Sequence, residues 1–403
     1  MRQNDTAMSP QRVLVRRDVA LSASELMHSR QVHEHLAGEI AAAGGWISFE
    51  RYMEIALYAP GLGYYSAGAH KLGHGGDFTT APQISRLFGA CMAQQCADVL
   101  RELGAGSILE IGAGSGRLAV DILTRLEALG RLPARYRILE VSADLRERQR
   151  RLVRGCVPQL QERVEWLEMP PAAAFDGVIL ANEVLDALPV ARFRWHGTHC
   201  EELGVVLEQD RFVWAPRPAG AALTQVCQAL AAAGGGWEDG YTSEYCPRLG
   251  AWATEVTRAL GIGVAMWVDY GLPRAQYYFP ERRDGTLLCH FRQRALDDPF
   301  LYPGLQDITA WVDFTALAEG CGPAGCELAG FTTQAYFLAG LGIDREMQAL
   351  ARGDANHYAR LANEARQLLL PGEMGERFKV MAWSRGMDAR LRGFALKDLR
   401  HTL

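Results

Sequence analysis

Ser107-Ile108-Leu109-Glu110-Ile111-Gly112-Ala113-Gly114-Ser115-Gly116 reads as a short apolar strand that runs straight into alternate glycines. The apolar run predicts a buried strand over Ser107 to Ile111, and the three- and four-residue spacing that follows predicts a helix over Gly116 to Leu129. Glycine lets the main chain turn sharply and approach a ligand closely, while the bare N–H groups of a helix start favour electron-rich partners. A strand-to-helix turn of this kind lies at the carboxyl edge of a sheet, where doubly wound folds bind nucleotide-like cofactors. A dinucleotide fold asks for GxGxxG, whose third glycine falls at position 117. That position is Arg117, and the third glycine stands at Gly116, which argues against NAD.

Outward from this turn, apolar strands at Tyr136 to Val141, Val164 to Leu167 and Phe175 to Ala181 alternate with helical patterns such as Ala143 to Arg154. This alternation predicts an α/β protein whose mostly parallel sheet is covered on both faces. Glu140 ends the second strand, where a carboxylate can accept hydrogen bonds from both ribose hydroxyls. The fourth strand ends in Ala181-Asn182-Glu183-Val184-Leu185-Asp186-Ala187-Leu188-Pro189. Asn182, Glu183 and Asp186 thus stand at the sheet edge that faces a cofactor's reactive end, as candidates to hold a second substrate. Helix capping is the plain alternative for Asn182 and Asp186, whereas glutamate is a poor N-cap.

The rest of the chain frames that core. Residues 1–25 read as a flexible tail, and helices expected over 26–43 and from Ser48 to Tyr58 lead into a glycine-rich stretch, Gly61 to Asp77, that carries Tyr64, Tyr65, His70 and His74. This stretch reads as a shaped loop that closes over the site as a lid within the N-terminal segment 26–90. The core follows over 91–190 and resumes over 261–403. Between them, 191–260 breaks the rhythm with short β segments over 192–215 and helices at 221–233 and 248–260, an inserted segment. A strand at 263–270, helices at 309–319, 344–352 and 356–369, and strands at 327–333 and 379–384 complete the reading. The 403 residues are 49% hydrophobic and 22% charged, an ordinary globular composition, and 42 basic against 47 acidic groups leave a net charge of −5, which argues against wrapping a nucleic acid. Nine cysteines without CxxC spacing indicate reduced thiols. No apolar run reaches the roughly 18 residues of a membrane span, and no secretory signal opens the chain. The expected location is the bacterial cytoplasm, or the mitochondrial matrix for a eukaryotic source. Two histidines without cysteines nearby make no metal site, so no metal is expected.

The pattern E-x-G-x-G-x-G resembles motif I of class I S-adenosylmethionine-dependent methyltransferases. Gly76-Asp77-Phe78-Thr79-Thr80-Ala81-Pro82-Gln83-Ile84-Ser85, Phe88-Gly89, the Asn182 to Pro189 run, Asp269-Tyr270-Gly271, Gly285-Thr286-Leu287, Asp307-Ile308-Thr309 and Val312-Asp313-Phe314 extend the likeness from Trp46 to Trp383. Together they resemble the methyltransferase family that includes the mitochondrial complex I assembly-factor arginine methyltransferase and its bacterial MidA relatives. Two departures are visible: Gln83 replaces a glutamate, and GAGSGR replaces GPGRGT. The resemblance implies a Rossmann-like class I methyltransferase core with an N-terminal helical and loop lid and an inserted β and helical segment covering the substrate. It implies S-adenosyl-L-methionine as cofactor, held by Gly112, Ala113, Gly114, Gly116, Glu140 and Asn182, with Asp77, Thr80 and Pro82 from the loop. It also implies a protein partner that presents the acceptor arginine, in the mitochondrial member a complex I subunit.

A guanidinium is planar, delocalised and always protonated near neutral pH, so its nitrogens are poor nucleophiles until a site localises the charge. A carboxylate pairing with two nitrogens directs the third at the methyl group. Glu183 is the first candidate, with Asn182 and Asp186 beside it, and Glu244 or Asp269 supplies a second acid. Transfer to another small-molecule or protein nucleophile, and an assembly protein that binds the cofactor and acts through a partner, remain the rival readings. Homodimerisation is left open.

Overall fold

The structure, a computed structural model of the chain, describes residues 20–67, 80–233, 236–388 and 390–403. Helix α1 (Ala23–Ala42) opens on a capping box of Ser22 and Glu25 and buries Val32, Leu36 and Ile40. After the two-residue strand β1 (Ile47–Ser48), the Ser48 hydroxyl accepts the N–H of Arg51 and starts α2 (Phe49–Tyr58). The single-turn α3 (Ala81–Ile84) then leads through α4 (Arg86–Leu103) to β2 (Ser107–Ile111). At the start of α3 the Thr80 N–H donates to Gln83 Oε1 at 3.2 Å. A capping box takes glutamine as readily as glutamate, so the departure at Gln83 preserves the local bond.

The alternation read from the sequence follows: α5 (Arg117–Ala128), β3 (Tyr136–Leu139), α6 (Ala143–Cys156), β4 (Val164–Leu167) and β5 (Phe175–Asn182). Next come β6 (Ala191–His196), β7 (His199–Glu208), β8 (Arg211–Pro218), α7 (Ala221–Ala233), β9 (Thr242–Tyr245), α8 (Leu249–Thr257) and the long strand β10 (Leu260–Leu272). The last third holds α9 (Arg274–Tyr277), β11 (Leu288–Phe291), β12 (Arg294–Leu296), β13 (Asp307–Thr309), β14 (Val312–Asp313) and α10 (Phe314–Glu319). It ends with β15 (Glu327–Thr333), α11 (Gln334–Gly340), α12 (Ile343–Ala351), α13 (Ala355–Leu369), α14 (Met374–Arg377) and β16 (Phe378–Arg385).

The main sheet runs β15-β16-β10-β5-β2-β3-β4, with β14 beside β10. The five strands from β10 to β4 are parallel, and β16 lies antiparallel between β10 and β15. Counted along the chain, the parallel strands stand in the order 3-2-1-4-5, a doubly wound sheet whose direction of winding reverses between β2 and β5. Successive residues of each strand face opposite layers, and both layers are dry. Ile108, Ile138, Val178, Leu180 and Val264 pack with Leu87, Leu118 and Leu123 of α4 and α5, while Leu109, Ile179, Ala265 and Trp267 pack with Leu249, Ala253 and Leu317 of α8 and α10.

A second, antiparallel sheet in the order β1-β7-β6-β9, with β8 on β7, and a small sheet β12-β11-β13 lie apart from the main one. They share one apolar cluster with the first helices, in which Val32, Phe49, Tyr52, Val205, Phe212, Phe291 and Ile308 meet. This unit draws on the N-terminal helices and on 288–310 as well as on the stretch that begins at 191. The helix expected over 309–319 is a helix only from Phe314. A Cβ on Gly271 would lie 2.2 Å from the Val312 carbonyl oxygen, so bare backbone there lets β14 pair with β10. Asp313 then caps α10, accepting the N–H groups of Thr315 and Ala316 at 3.0 Å each.

Candidate active site

The turn after β2 is built from glycines in the left-handed region: Gly112 at φ 63°, Gly114 at 52° and Gly116 at 81°. A Cβ on Gly112 would sit 3.0 Å from Val184 Cγ2, and one on Gly116 would sit 3.1 Å from Gln149 Cγ. Gln149 locks this turn to the acid beside it: its Nε2 donates to the Gly114 carbonyl at 2.9 Å and to Glu140 Oε2 at 3.2 Å, while its Oε1 accepts the Trp166 indole N–H at 3.0 Å. Glu140 Oε1 accepts the Ser142 N–H at 3.0 Å. Burial pushes the Glu140 carboxyl above its usual range, and the Ser142 and Gln149 bonds oppose that rise. Two apolar side chains just past neighbouring strand ends are left bare, Val141 at 68% and Met169 at 76% exposure. Left-handed backbone, a held carboxylate with lone pairs to spare and exposed apolar surface fit a phosphate-free nucleoside: hydroxyls on Glu140, a flat base on Val141 and Met169.

Across the reversal point, β5 ends in Asn182, and Glu183 follows it. Glu183 has φ 53°, a conformation that an L side chain adopts at a cost of order 1 kcal/mol. The turn is held because the Glu183 N–H donates to the Val268 carbonyl at 2.9 Å. Glu183 Oε1 accepts the Ala81 N–H at 3.2 Å and Asn182 Nδ2 at 3.1 Å. Asn182 Oδ1 is buried without a hydrogen-bond partner among the described residues. Burial, reinforced by the charge of Asp186, pushes the Glu183 carboxyl up to about 8. Asp186 accepts the Tyr270 hydroxyl through Oδ2, and its carbonyl accepts the Ala310 N–H at 3.0 Å. Burial raises its carboxyl as well.

The two further acids named from the sequence have other surroundings. Asp269 is fully buried. Its Oδ2 accepts the N–H groups of Val184, Leu185 and Asp186 at 3.1, 2.9 and 3.3 Å, and its Oδ1 accepts that of Tyr270 at 2.9 Å. It stands beneath the Glu183 loop and shapes it. Glu244 belongs to β9 in the second sheet, where Oε2 accepts the Thr286 N–H at 2.7 Å and Oε1 lies 3.6 Å from Arg192 Nε. A Cβ on Gly285 would fall 2.3 Å from that carboxylate, which accounts for the glycine of Gly285-Thr286-Leu287. The structure therefore gathers Asn182, Glu183, Asp186 and Asp269 at one edge and holds Glu244 in a different set of contacts. Thr80 precedes α3 and Pro82 is buried in it, directly beside the Ala81 N–H that reaches Glu183. Asp77, with His70, His74 and Phe78, lies outside the described residues.

Sequence reasoning missed Gln149, whose polar head at a helical position carries no sign of its two partners. It named Tyr65 only as part of the glycine-rich stretch. The Tyr65 hydroxyl donates to Asp307 Oδ1 at 2.8 Å, and the neighbouring Tyr58 hydroxyl donates to the Ala187 carbonyl at 2.9 Å. The two rings stack with centroids 5.5 Å apart and planes 25° apart.

Comparison with known proteins bears on this geometry. The profile of a family described as S-adenosyl-L-methionine-dependent methyltransferases matches residues 91–332, more than half of the chain. The mitochondrial protein arginine methyltransferase NDUFAF7 of Danio rerio is 31% identical over 397 residues, which cover 90% of this chain and 88% of that protein. The Homo sapiens protein of the same name is 28% identical over 389 residues, covering 86% and 82%. A Burkholderia thailandensis methyl transferase candidate, crystallised with S-adenosyl-homocysteine bound, aligns with a TM-score of 0.91 at 42% identity over 96% of this chain and 100% of its own. With the doubly wound sheet, the glycine cradle and Glu140 in place, the chain belongs to this methyltransferase family and is an enzyme that uses S-adenosyl-L-methionine.

Proposed function

We propose that this enzyme methylates an arginine side chain of a protein. The observation that carries the reading is Glu183: a carboxylate held at a strained φ of 53°, across the sheet's reversal point from the glycine turn. The name of the Danio rerio relative, a protein arginine methyltransferase, supports it. S-adenosyl-L-methionine supplies an activated methyl group when bound, and Gly112, Ala113, Gly114, Gly116 and Glu140 would hold it, with Val141 and Met169 against its base. Thr80 and Pro82, on either side of the Ala81 N–H that reaches Glu183, would border the same site.

Glu183 then does two things. A carboxylate raised to about 8 is easily protonated while the cleft is empty, and an entering guanidinium restores its charge by pairing with it. Pairing draws the positive charge toward two of the three nitrogens and leaves the third aligned for in-line attack. The nitrogen that gains the methyl gives up a proton, and Glu183 or Asp186, both raised by burial, can accept it. The Asn182 carbonyl oxygen, buried and without a partner among the described residues, would accept an N–H from a ligand that faces it. Asp269 acts through the backbone: it fixes Val184 to Asp186 and so positions Glu183.

Methyl-labelled S-adenosyl-L-methionine, incubated with the enzyme and an extract of its own source depleted of it, tests the reading. Acid hydrolysis of the labelled protein band should yield methylarginine. Label recovered on another amino acid, or only in small molecules, overturns the arginine assignment while leaving the methyltransferase intact.

A further inference from the structure

Helix α7 is thinly held. Of its 13 residues, rich in alanine, Cys227, Leu230 and Ala231 are the buried ones. A helix this short is marginal on its own, so the packing of one narrow face keeps it in place. The three buried residues are spaced by three and four and share that face, which meets Phe193 and Trp195 of β6 and Cys200 of β7 in one apolar cluster. Two contacts tie the helix to the same residue of β7. The Ala219 N–H, just ahead of α7, donates to the Cys200 carbonyl at 2.9 Å. Farther along, Cys227 Sγ lies 2.6 Å from Cys200 Sγ. The pair is 27 residues apart in the chain, so no short spacing announces it, and both residues are buried. Both are free thiols here. Bonded sulfurs stand about 2.05 Å apart, so these two already face each other at nearly bonding separation.

We propose that Cys200 and Cys227 form a disulfide site that fastens α7 to β7 when the protein meets hydrogen peroxide. One thiolate attacks a peroxide oxygen, the O–O bond breaks, and a sulfenic acid forms with release of water. The second thiol attacks the sulfenic sulfur, the S–S bond forms, and the S–O bond breaks with loss of a second water. Two thiols thus give up two protons and two electrons, and one hydrogen peroxide becomes two waters. Contact with Cys200 and burial push the Cys227 thiol far above its ordinary range. The reacting thiolate therefore forms when α7 lifts from the strand, and bond formation on its return holds the helix down. The covalent link adds to an anchor that otherwise rests on one backbone hydrogen bond and a small apolar face. It is independent of which nucleophile accepts the methyl group.

The test uses the full chain, reduced with dithiothreitol, freed of it and then exposed to hydrogen peroxide. Non-reducing tryptic mapping should show peptides 195–211 and 212–248 joined with the loss of two hydrogens. Fragment ions should place the link at Cys227 rather than at Cys246, which shares the second peptide. Amide hydrogen exchange over 221–233 should slow about tenfold or more in the linked protein, and dithiothreitol should restore the faster exchange. Cys200→Ala and Cys227→Ala, made separately, should each abolish both the link and the slowing, and either one serves if the other fails to fold. Cys200 and Cys227 recovered as free thiols after peroxide, joined to other cysteines, or oxidised to sulfinic acids would overturn the proposal. A linked protein whose 221–233 amides exchange as fast as those of the reduced protein would overturn the fastening of α7.

Discussion

Glu183 and Asp269 are acids eighty-six residues apart in number that meet at one sheet edge, and burial raises both carboxyls, yet their partners divide their roles. Glu183 accepts one backbone N–H and one side-chain amide, whereas Asp269 accepts four backbone N–H groups. Removing the Asp269 carboxylate leaves those donors buried and unpaired at about 1 kcal/mol or more each. Asp269→Ala should therefore lower the unfolding free energy by about 3 kcal/mol or more, read by urea denaturation, and a loss under about 1 kcal/mol would remove its supporting role. Glu183 titrates in an accessible range. Arginine keeps its proton far above neutral pH and Asp186, raised to about 6, ionises earlier, so raising the pH from about 7 toward 8 acts on the acceptor site through the charge of Glu183. The sign follows: kcat/KM for the acceptor should climb with pH and level off at or below about 8, since the positive charge of a bound donor favours the ionised carboxylate. A flat profile from pH 6 to 9 would contradict this. The sequence made Glu140 and Glu183 legible because each follows an apolar strand whose end must lie at the sheet edge. It could not separate Asp269 from a ligand-binding acid, because both kinds of carboxylate end a strand and only the tertiary partners distinguish them.

Elements with a clean period were read almost to the residue, among them β2, β4, α7 and α13. Those set by close approach were not. Helix α4 carries Gly89 in its interior, which weakens the helical signal, yet a Cβ there would lie 2.5 Å from Asp121 Cβ, so the glycine is what lets α4 cross α5. The strands β9 and β13 take their places from partners distant in sequence, β6 and β11, and β12 and β13 have three residues each, too few for a period to appear. The same close approach yields a prediction at Gly285, where φ is 74° and a Cβ would strike the Glu244 carboxylate. Gly285→Ala should destabilise the protein by about 2 kcal/mol or more, measured by denaturation, and should loosen the Glu244 to Thr286 bond that joins the second sheet to the segment before β11. Wild-type stability in that variant would show that the turn relaxes freely.

At the scale of the whole molecule, two bodies of packing meet at the carboxyl edge of the main sheet. One is the doubly wound core, whose carboxyl edge was legible because the glycine turn and the Asn182 to Pro189 run each follow a recognisable strand, while the strand order that makes it a reversal point was not. The other is assembled from the N-terminal helices, the β6 to β8 hairpins and 288–310, stretches that no local pattern assigns to one cluster. Asp307 and Tyr65 belong to that second body, and their bond to each other escaped a reading made along the chain. With donor binding on the core and acceptor recognition proposed where the two bodies meet, the two activities should separate in a single substitution. The most direct measurement is S-adenosylhomocysteine release by Glu183→Gln at saturating S-adenosyl-L-methionine and source extract, alongside calorimetric donor affinity. Donor affinity within about threefold of wild type, with release lowered about a hundredfold or more, is the predicted result. Release at the wild-type rate would contradict the account and take Glu183 out of the mechanism.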